Sequence, residues 1–430
     1  MPVLSEGELR IPLRPIHVRH PMPDARPTLL IVSQTFVPDP AAVGQHLADV
    51  ADEMARRGWR VIVYTARRGY DDPSQRYAKR EQRGGVKIRR LPLSSFGKGS
   101  IAARLLAGFV FTCQATVRSL LRRRIDAMLF STSPPMAPLA AIALRSLRRV
   151  PVTFWAMDIN PDQMIAMGKL GETSLPARAF DWMYRRTIRG AAKVVALDRF
   201  MAARLERKTP LGSKLEIVPP WSHVDASKPP VAHDENAFRR REGLGAKFVV
   251  MYSGNLSPTH PLDTILDAAK AMREDESVAF VFVGGGLGAR RVEAFIEEHA
   301  LLNARRLPYQ PLEVLPHSLA AADAHVVSMG NPMVGVVHPC KVYGALAVGR
   351  PVLFVGPEPC HVTDLLEQAD AGKRVEHGDV EGAVQAIRVL RSMPAEERRA
   401  MGERGRALMQ GRLSRERSLA AVCDAVERTA

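Results

Sequence analysis

A chain of 430 residues with 46% hydrophobic and 25% charged residues has the composition of a soluble globular protein and is long enough for two or three domains. Its four cysteines lie far apart without a C-x-x-C pair, which argues against a disulfide framework or a zinc site and fits a reducing cytoplasm. Lys and Arg outnumber Asp and Glu by 61 to 45, giving a net charge of +16, so we expect anionic partners such as nucleic acid, an acidic membrane or phosphorylated substrates.

Two segments depart from this ordinary composition. Residues 1–27 are rich in Pro, Arg and His and have no apolar core, which argues against a signal peptide and predicts a disordered leader. The apolar run 101–121 is interrupted by two arginines and a glutamine, which makes it too polar for a transmembrane span and predicts an amphipathic helix. Residues 101–150 hold eight arginines and one acid. Two interpretations stay open: a basic helix on an anionic membrane, or a core-packing helix with a solvated arginine face.

From residue 28 onward, short apolar runs alternate with helical patterns. Strands that are apolar on both faces and separated by helices are typical of a doubly wound parallel sheet. The pattern therefore predicts a Rossmann-like α/β domain over 28–225, with strands at 28–33, 59–66, 127–132, 151–157 and 193–197 and helices at 42–58, 136–149 and 175–190.

The alternation breaks in a proline-rich stretch and then resumes. We assign 226–245 to a linker, 246–410 to a second Rossmann-like domain, and 411–430 to a C-terminal helix that packs back on the first domain. Strands of the second domain are predicted at 247–254, 278–286, near Arg306, 324–329 and 351–356. Because doubly wound sheets bind ligands beyond the carboxyl ends of their strands, we expect the active site in the cleft between two facing domains.

Two strand-to-helix junctions of the second domain carry unusual residues. Gly254 ends a strand, and His260 stands just before a helix in which Pro261 suits the first position. The run V-G-G-G-L-G at 283–288 places glycines after the next strand, but Ala289 breaks the G-x-G-x-x-G spacing. A tight turn is the simpler interpretation of these glycines.

A third junction, H-P-C-K-V-Y at 338–343, places a lysine at the start of a helix. Pro339 suits the first turn and Gly349 the end, so Lys341 lies where a cation is unfavourable unless an anion binds there. A lysine facing a glycine loop across one cleft supplies N–H donors, a dipole and a full charge. We therefore expect a phosphate group at this junction, with a solvated surface lysine as the alternative.

These motifs, in this order from about residue 29 to 409, resemble the family 4 glycosyltransferases. That family consists of retaining, nucleotide-sugar-dependent enzymes with the GT-B fold of two facing Rossmann-like domains. The resemblance rests on S-T-S-P-P-M-A-P-L at 131–139, W-A-M-D-I-N-P-D at 155–162, M-Y-S-G-N-L-S-P-T-H-P-L at 251–262 and H-P-C-K-V-Y-G-A-L-A-V-G-R-P-V-L-F-V-G-P-E at 338–358. The chain is most similar to the bacterial capsule, O-antigen and exopolysaccharide subgroup, whose pattern P-S-K-x-Y here reads P-C-K-V-Y.

The resemblance implies a donor site in the second domain and an acceptor site in the first. Lys341 would neutralise the leaving diphosphate, and Asp158 would orient or deprotonate the acceptor hydroxyl, or else cap a turn before Pro161. His260 would lie near the phosphates, or else cap its helix. The further residues implied at the donor are Gly254, Asn255, Gly285, Gly286, Pro339 and Tyr343.

The sequence also departs from the family pattern. Many members carry two glutamates at positions that correspond here to Val336 and Gly344, so ribose recognition is unexplained. Glu358, near the same strand end, is our candidate to replace them. The chain contains no D-x-D triplet, so we expect no metal and no cofactor other than the nucleotide-sugar substrate.

The function implied is a hexosyl- or N-acetylhexosaminyltransferase (class EC 2.4) that uses a nucleoside-diphosphate sugar, with UDP expected. Its acceptor would be a lipid-linked or other glycan in cell-surface polysaccharide synthesis. We expect a cytoplasmic protein with peripheral membrane contact through 101–124 and no nucleic-acid partner, because the basic stretch lacks stacking aromatics outside apolar runs. The alternatives are a UDP-sugar epimerase of the same fold, disfavoured by the scarcity of acids at these loops, and a non-catalytic nucleotide or anion binder.

Overall fold

The computed structural model describes residues 26–39, 41–69, 74–93 and 101–430. Nearly all of the predicted leader, 1–27, therefore lies outside the described residues. Two mainly parallel sheets form the frame of the molecule, which confirms the prediction of two doubly wound domains.

The first sheet has eight strands in the order β3-β4-β2-β1-β5-β6-β7-β8 and is parallel except where β3 meets β4. Its central strand β1 is buried on both faces, as its apolar sequence requires. The strands are β1 (Thr28–Val32), β2 (Arg60–Ala66), β3 (Arg80–Arg83), β4 (Val86–Leu91), β5 (Ala127–Ser131), β6 (Val152–Trp155), β7 (Lys193–Ala196) and β8 (Leu215–Ile217). Six helices connect them: α1 (Ala42–Arg56), α2 (Ile101–Leu120), α3 (Ala137–Arg148), α4 (Asp162–Ala166), α5 (Leu175–Gly190) and α6 (Arg199–Lys208).

The second sheet has six parallel strands in the order β11-β10-β9-β12-β13-β14. These are β9 (Phe248–Ser253), β10 (Val278–Val283), β11 (Ala304–Leu307), β12 (Ala324–Ser328), β13 (Val352–Val355) and β14 (Gly372–Val375). Its helices are α7 (Ala237–Arg241), α8 (Asp263–Ala271), α9 (Ala289–Glu298), α10 (Leu315–Ala320), α11 (Lys341–Ala347), α12 (His361–Ala369), α13 (Val380–Ser392) and α14 (Ala395–Gln410).

The stretch 226–245, predicted as a linker, contains the packed helix α7. Asn236 caps it by accepting hydrogen bonds from two backbone N–H groups, and Phe238 is buried in the second domain's core. Arg239 donates a 2.7 Å hydrogen bond to the Ala321 carbonyl. The second domain therefore begins upstream of residue 246, because Asn236, Phe238 and Arg239 are buried against it.

The last helix, α15 (Arg415–Glu427), returns to the first domain. Leu419, Val422 and Val426 are buried in the core of that domain. Arg57, just past the end of α1, forms ion pairs of 2.6 Å with Asp424 and 2.7 Å with Glu427. The chain thus crosses between the domains twice.

Helix α2 has one buried and one exposed apolar face. Ala107, Phe111 and Ala115 face the protein. On the opposite face an exposed stripe at helical spacing consists of Leu106, Phe109, Cys113, Val117 and Leu121. Within the described part of the chain, no helix combines the length and the apolar character that crossing a membrane requires.

Candidate active site

Lys341 lies against the glycine that ends β9. A Cβ atom on Gly254 would lie 2.8 Å from the Lys341 Cε, so the lysine stem covers this residue. Burial lowers the pKa of Lys341 to about 8. No described residue forms an ion pair with its ammonium, whose Nζ stands 5.2 Å from the Tyr252 ring centroid. The arrangement leaves a partly desolvated cation available for an anion.

The glycine run after β10 packs directly on the loop after β9. Gly284 has φ +140°, and a Cβ there would lie 1.9 Å from the Gly254 carbonyl oxygen. A Cβ on Gly286, which has φ +111°, would lie 2.0 Å from Asn255 Oδ1. Side chains are therefore excluded at both positions by contact as well as by backbone conformation. The structure brings Gly254, Asn255, Gly285 and Gly286 together at the carboxyl edge of the sheet.

His260 lies at the same edge of the sheet, and one of its ring nitrogens forms a hydrogen bond within the protein. Its Nδ1 lies 2.8 Å from the Ser328 carbonyl, so Nδ1 carries the proton and donates it. Burial and the nearby Lys341 ammonium hold the pKa of His260 well below its ordinary value. A neutral His260 in this tautomer presents Nε2 as a hydrogen-bond acceptor rather than as a cation for phosphate.

Asp158 follows β6 at the facing edge of the first domain. Burial raises the pKa of its carboxyl group to about 6. Burial raises the pKa of the Cys340 thiol to about 12, and the Asp158 carboxylate adds to that rise. The next residue, Ile159, donates a 2.9 Å backbone hydrogen bond to Val336 of the second domain. The segment that carries Asp158 thus contacts the loop that leads into Lys341.

Tyr343 and Pro339, which the motif implies at the donor, are both buried. The Tyr343 hydroxyl hydrogen bonds at 2.9 Å to His338 Nε2. Helix α11 is amphipathic at this position: Lys341 points to the glycine loops, whereas Tyr343, two residues on, lies on the inner face.

Glu358 lies beyond the carboxyl end of β13 and is exposed. Its carboxylate pairs with Arg374 at 3.2 Å. Ribose contact by Glu358 would compete with this pair. At Gly344 a Cβ would lie 3.2 Å from Leu319 Cδ1, so a larger residue there requires Leu319 to shift.

Two residues near the site were missed from the sequence. The Tyr309 ring packs on Gly285, where a Cβ would lie 2.9 Å from Cε2. Asp198 of the first domain accepts a 2.7 Å hydrogen bond from His338 Nδ1. Asp198 precedes a helical pattern and could have been recognised as a helix cap, but no sequence signal links it to His338.

Among the described residues, one buried group has the side chains of a metal site: Asp198, His338 and His361. Both nitrogens of His338 already have hydrogen-bond partners. The two imidazole rings are stacked, with centroids 3.7 Å apart and planes 20° apart. Lone pairs of stacked rings do not converge on one point, so this geometry favours a hydrogen-bonded cluster over metal coordination.

In comparison with known proteins, each half of the chain matches a family model of glycosyl transferases. The family model described as a glycosyl transferase 4-like domain matches residues 41–221, and the one described as glycosyl transferases group 1 matches 234–408. WcaI of Escherichia coli strain K12, named for glycosyl transfer in colanic acid biosynthesis, is 25% identical over 85% of this chain and 92% of its own.

Solved structures support the fold. Sucrose-phosphate synthase from Thermosynechococcus elongatus superposes with a TM-score of 0.74 at 16% identity, covering 94% of this chain and 99% of that one. HepE of Anabaena, solved with UDP-glucose, superposes with a TM-score of 0.67 at 15% identity, covering 94% of this chain and 98% of that one. These findings confirm the family and the fold inferred from the motifs. The chain belongs to the glycosyltransferases with the GT-B fold, with a glycosyl transferase 4-like domain followed by a group 1 glycosyl transferase domain.

Proposed function

We propose that the protein transfers a sugar from a UDP-sugar to a lipid-linked glycan, with retention of configuration, in the synthesis of a cell-surface polysaccharide. The observation that carries the donor assignment is Lys341, a partly desolvated cation without an anionic partner among the described residues, packed on the Gly254 loop. The naming of WcaI for colanic acid biosynthesis supports the product class, and the UDP-glucose bound by HepE supports the nucleotide.

The donor diphosphate would lie between Lys341 and the backbone of the glycine loops. Charge that develops on the leaving diphosphate is stabilised there by the ammonium and by N–H groups that are already oriented. His260 would accept a hydrogen bond from a sugar hydroxyl through Nε2, and Tyr309 would offer its ring to the base. Asp158, across the cleft, would take up the proton of the attacking acceptor hydroxyl.

A thermal-shift panel of UDP-, GDP-, ADP- and dTDP-sugars tests the donor assignment. UDP-sugars should raise the melting temperature of the wild type, and Lys341→Ala should abolish the shift because the diphosphate loses its cation. Lys270→Ala, at an exposed position of α8, is the matched control and should show the same rise in melting temperature as the wild type. A shift that survives Lys341→Ala undiminished removes the phosphate role. With the UDP-sugar identified, the anomeric configuration of the product, measured by NMR, tests retention.

We propose further that catalysis needs no metal, since Lys341 supplies the charge and the sequence has no D-x-D triplet. Transfer rates should be the same in excess EDTA and in added Mg²⁺ or Mn²⁺. A rate that collapses on chelation and returns with one metal contradicts this.

The acceptor side is proposed to lie on the inner face of the cytoplasmic membrane. Helices α2, α3 and α5 pack side by side. Together they expose large apolar side chains, including Leu121 (80% exposed), Leu147 (71%) and Trp182 (63%). Exposed arginines lie on the same helices or directly after them, at positions 123, 149, 178 and 186. Exposed apolar side chains accompanied by arginines are suited to insert at an anionic lipid surface.

Liposome flotation tests this face, which we call the α2–α3–α5 face. The wild type should float with vesicles containing phosphatidylglycerol and much less with pure phosphatidylcholine. A Leu121→Ser, Leu147→Ser, Trp182→Ser variant should lose flotation, whereas Leu302→Ser, at an exposed leucine of the second domain, should not. Equal flotation of the triple variant would remove the membrane proposal.

A further inference from the structure

The loop that leads into Lys341 is held by the first domain at two points. Ile159, next to Asp158, donates its backbone N–H to the Val336 carbonyl at 2.9 Å. Two residues later in the loop, His338 Nδ1 lies 2.7 Å from Asp198 Oδ2. Asp198 is the N-cap of α6, and its other oxygen accepts a 2.8 Å hydrogen bond from the Met201 backbone. The Asp198 carboxylate is thus fixed by its own helix before it meets His338.

The contact continues into α11. His338 Nε2 and the Tyr343 hydroxyl are 2.9 Å apart, and the His338 side chain is completely buried. Nδ1 of His338 donates to the Asp198 carboxylate, and Nε2 shares the second hydrogen bond with the Tyr343 hydroxyl. Although burial alone would raise it, the hydrogen bond from His338 holds the pKa of Asp198 well below its ordinary value. A hydrogen-bonded chain therefore joins Tyr343, His338 and Asp198, and the Tyr343 and His361 rings stack on His338.

Two residues of this hydrogen-bonded chain flank, in sequence, the lysine that is proposed to bind the diphosphate. His338 lies three residues before Lys341 and Tyr343 two residues after it. We infer that Asp198 is a positioning residue that, through His338 and Tyr343, fixes Lys341 over the Gly254 loop and makes donor affinity depend on docking of the first domain. The inference rests on the proposed role of Lys341.

The hydrogen-bonded chain of Asp198, His338 and Tyr343 does more than hold the two domains together, because it also fixes the orientation of the loop. Burying polar groups is costly, and apolar side chains of similar size would hold two surfaces together at least as well. Arg199, the residue after Asp198, also crosses the interface, with Asp364 at 2.6 Å, but this exposed pair contacts neither His338 nor Lys341. Directed hydrogen bonds fix orientation, which apolar contacts do not, and orientation is what the lysine loop requires.

Two conservative substitutions and one control test the inference. Asp198→Asn keeps an oxygen for the Met201 cap but replaces the carboxylate facing His338 with an amide. Tyr343→Phe removes only the hydroxyl and keeps the stacked ring. Arg199→Gln breaks the neighbouring interdomain pair without touching the chain. The probe is UDP, measured by calorimetry on the full-length protein, or whichever of GDP, ADP and dTDP the thermal-shift panel selects.

Asp198→Asn should raise the Kd of UDP by about tenfold, the scale of a lost charge-assisted hydrogen bond, and Tyr343→Phe should raise it by about fivefold, the scale of a lost neutral one. In steady-state assays the KM of the donor should rise while kcat at saturating donor and the KM of the acceptor stay within about twofold. The double variant should bind UDP no more weakly than the poorer single variant, because the two groups act through one chain. Arg199→Gln should match the wild type.

Each of the following outcomes would overturn the inference. If the two variants melt at lower temperature but bind UDP as the wild type does, the chain only joins the domains. If their effects on Kd add in full, the residues act independently. If Lys341→Ala weakens UDP binding while neither variant does, the inference falls and the proposed function stands; if Lys341→Ala has no effect, or no nucleotide binds the wild type, both fall together.

Discussion

Lys341 and Asp158 are both titratable groups held in an environment that disfavours their charge. Burial lowers the pKa of the lysine to about 8 and raises that of the aspartate to about 6. Between these values both are charged, as their proposed roles as a cation for the donor and a base for the acceptor require. The interval around neutral pH is therefore where the proposed chemistry works.

Donor binding should depend on pH through Lys341. Below its free-state pKa of about 8 the lysine is already protonated, so the Kd of UDP should be constant there. Above that pKa, binding must first protonate the amine, and Kd should rise by about tenfold per pH unit until the pKa of the complex is reached. Calorimetry from about pH 7 to about pH 9.5 measures this, and Lys341→Arg, which stays charged, should give a flat profile. A flat wild-type profile would contradict it.

The proposed role of Asp158 predicts that activity falls at low pH and that removing the charge of this residue stabilises the protein. If it is the base, kcat/KM for the acceptor should fall about tenfold per unit below a pKa of about 6, and Asp158→Asn should lose the activity at every pH. Because its folded-state pKa is raised, the ionised form opposes folding at higher pH. Asp158→Asn should thus melt higher than the wild type at pH 8, and the gain should shrink as pH falls below about 6. Unchanged activity in Asp158→Asn excludes it as the base.

At the level of single residues, local motifs marked the glycines, Lys341 and Asp158 as candidates, and the structure packs Lys341 on the Gly254 loop. Their roles stay predictions. The motifs did not predict that the Tyr343 hydroxyl bonds to His338. They also missed Asp198, because the partner of that carboxylate lies 140 positions further along the chain. Contacts between distant segments leave no trace in spacing.

Among the secondary-structure elements, the apolar strands inside the sheets were predicted, whereas the polar edge strands β3 and β14 were not. The edge strand β11 was predicted near Arg306, and the partly polar β4 inside the first sheet was missed. Strands such as β1 and β10 are apolar throughout, since both faces are covered by helices. The edge strand β3 reads R-E-Q-R and is exposed, and β14 reads G-K-R-V, so neither shows apolar alternation. The exposed stripe of α2 shows that neither open interpretation of 101–121 was complete, because the helix has a core face and an outer apolar face.

Helix α15 should contribute to the stability of the domain that it joins from the far end of the chain. Leu419 is 5% exposed in the first domain's core, so Leu419→Ala should cost about 3 kcal/mol in the free energy of unfolding, from lost burial and the cavity left behind. Denaturant unfolding followed by Trp fluorescence measures this. Leu302→Ala, at an exposed leucine, is the control and should change it by less than about 0.5 kcal/mol. A loss equal to the control would mean that α15 is not part of the folded core.

Over the whole molecule, the net charge of +16 is unevenly spread and concentrates on the first domain, which includes the α2–α3–α5 face. Attraction between this face and anionic lipid is screened by salt, since the Debye length falls from about 10 Å at 0.1 M to about 3 Å at 1 M. Flotation with phosphatidylglycerol vesicles should therefore decrease steeply as NaCl is raised over that range. Undiminished flotation at high salt would show that apolar insertion alone holds the protein on the membrane.

Because α15 packs in the first domain, it also constrains when during synthesis the core of that domain can be completed. A ribosome releases the first domain's strands and helices long before residues 415–427, yet Val422 and Val426 are among the buried residues of that domain's core. Domains usually fold in the order in which they emerge. Here the core of the first domain to emerge lacks Val422 and Val426 until α15 has been synthesised, so that core can be completed only after the whole second domain has been made.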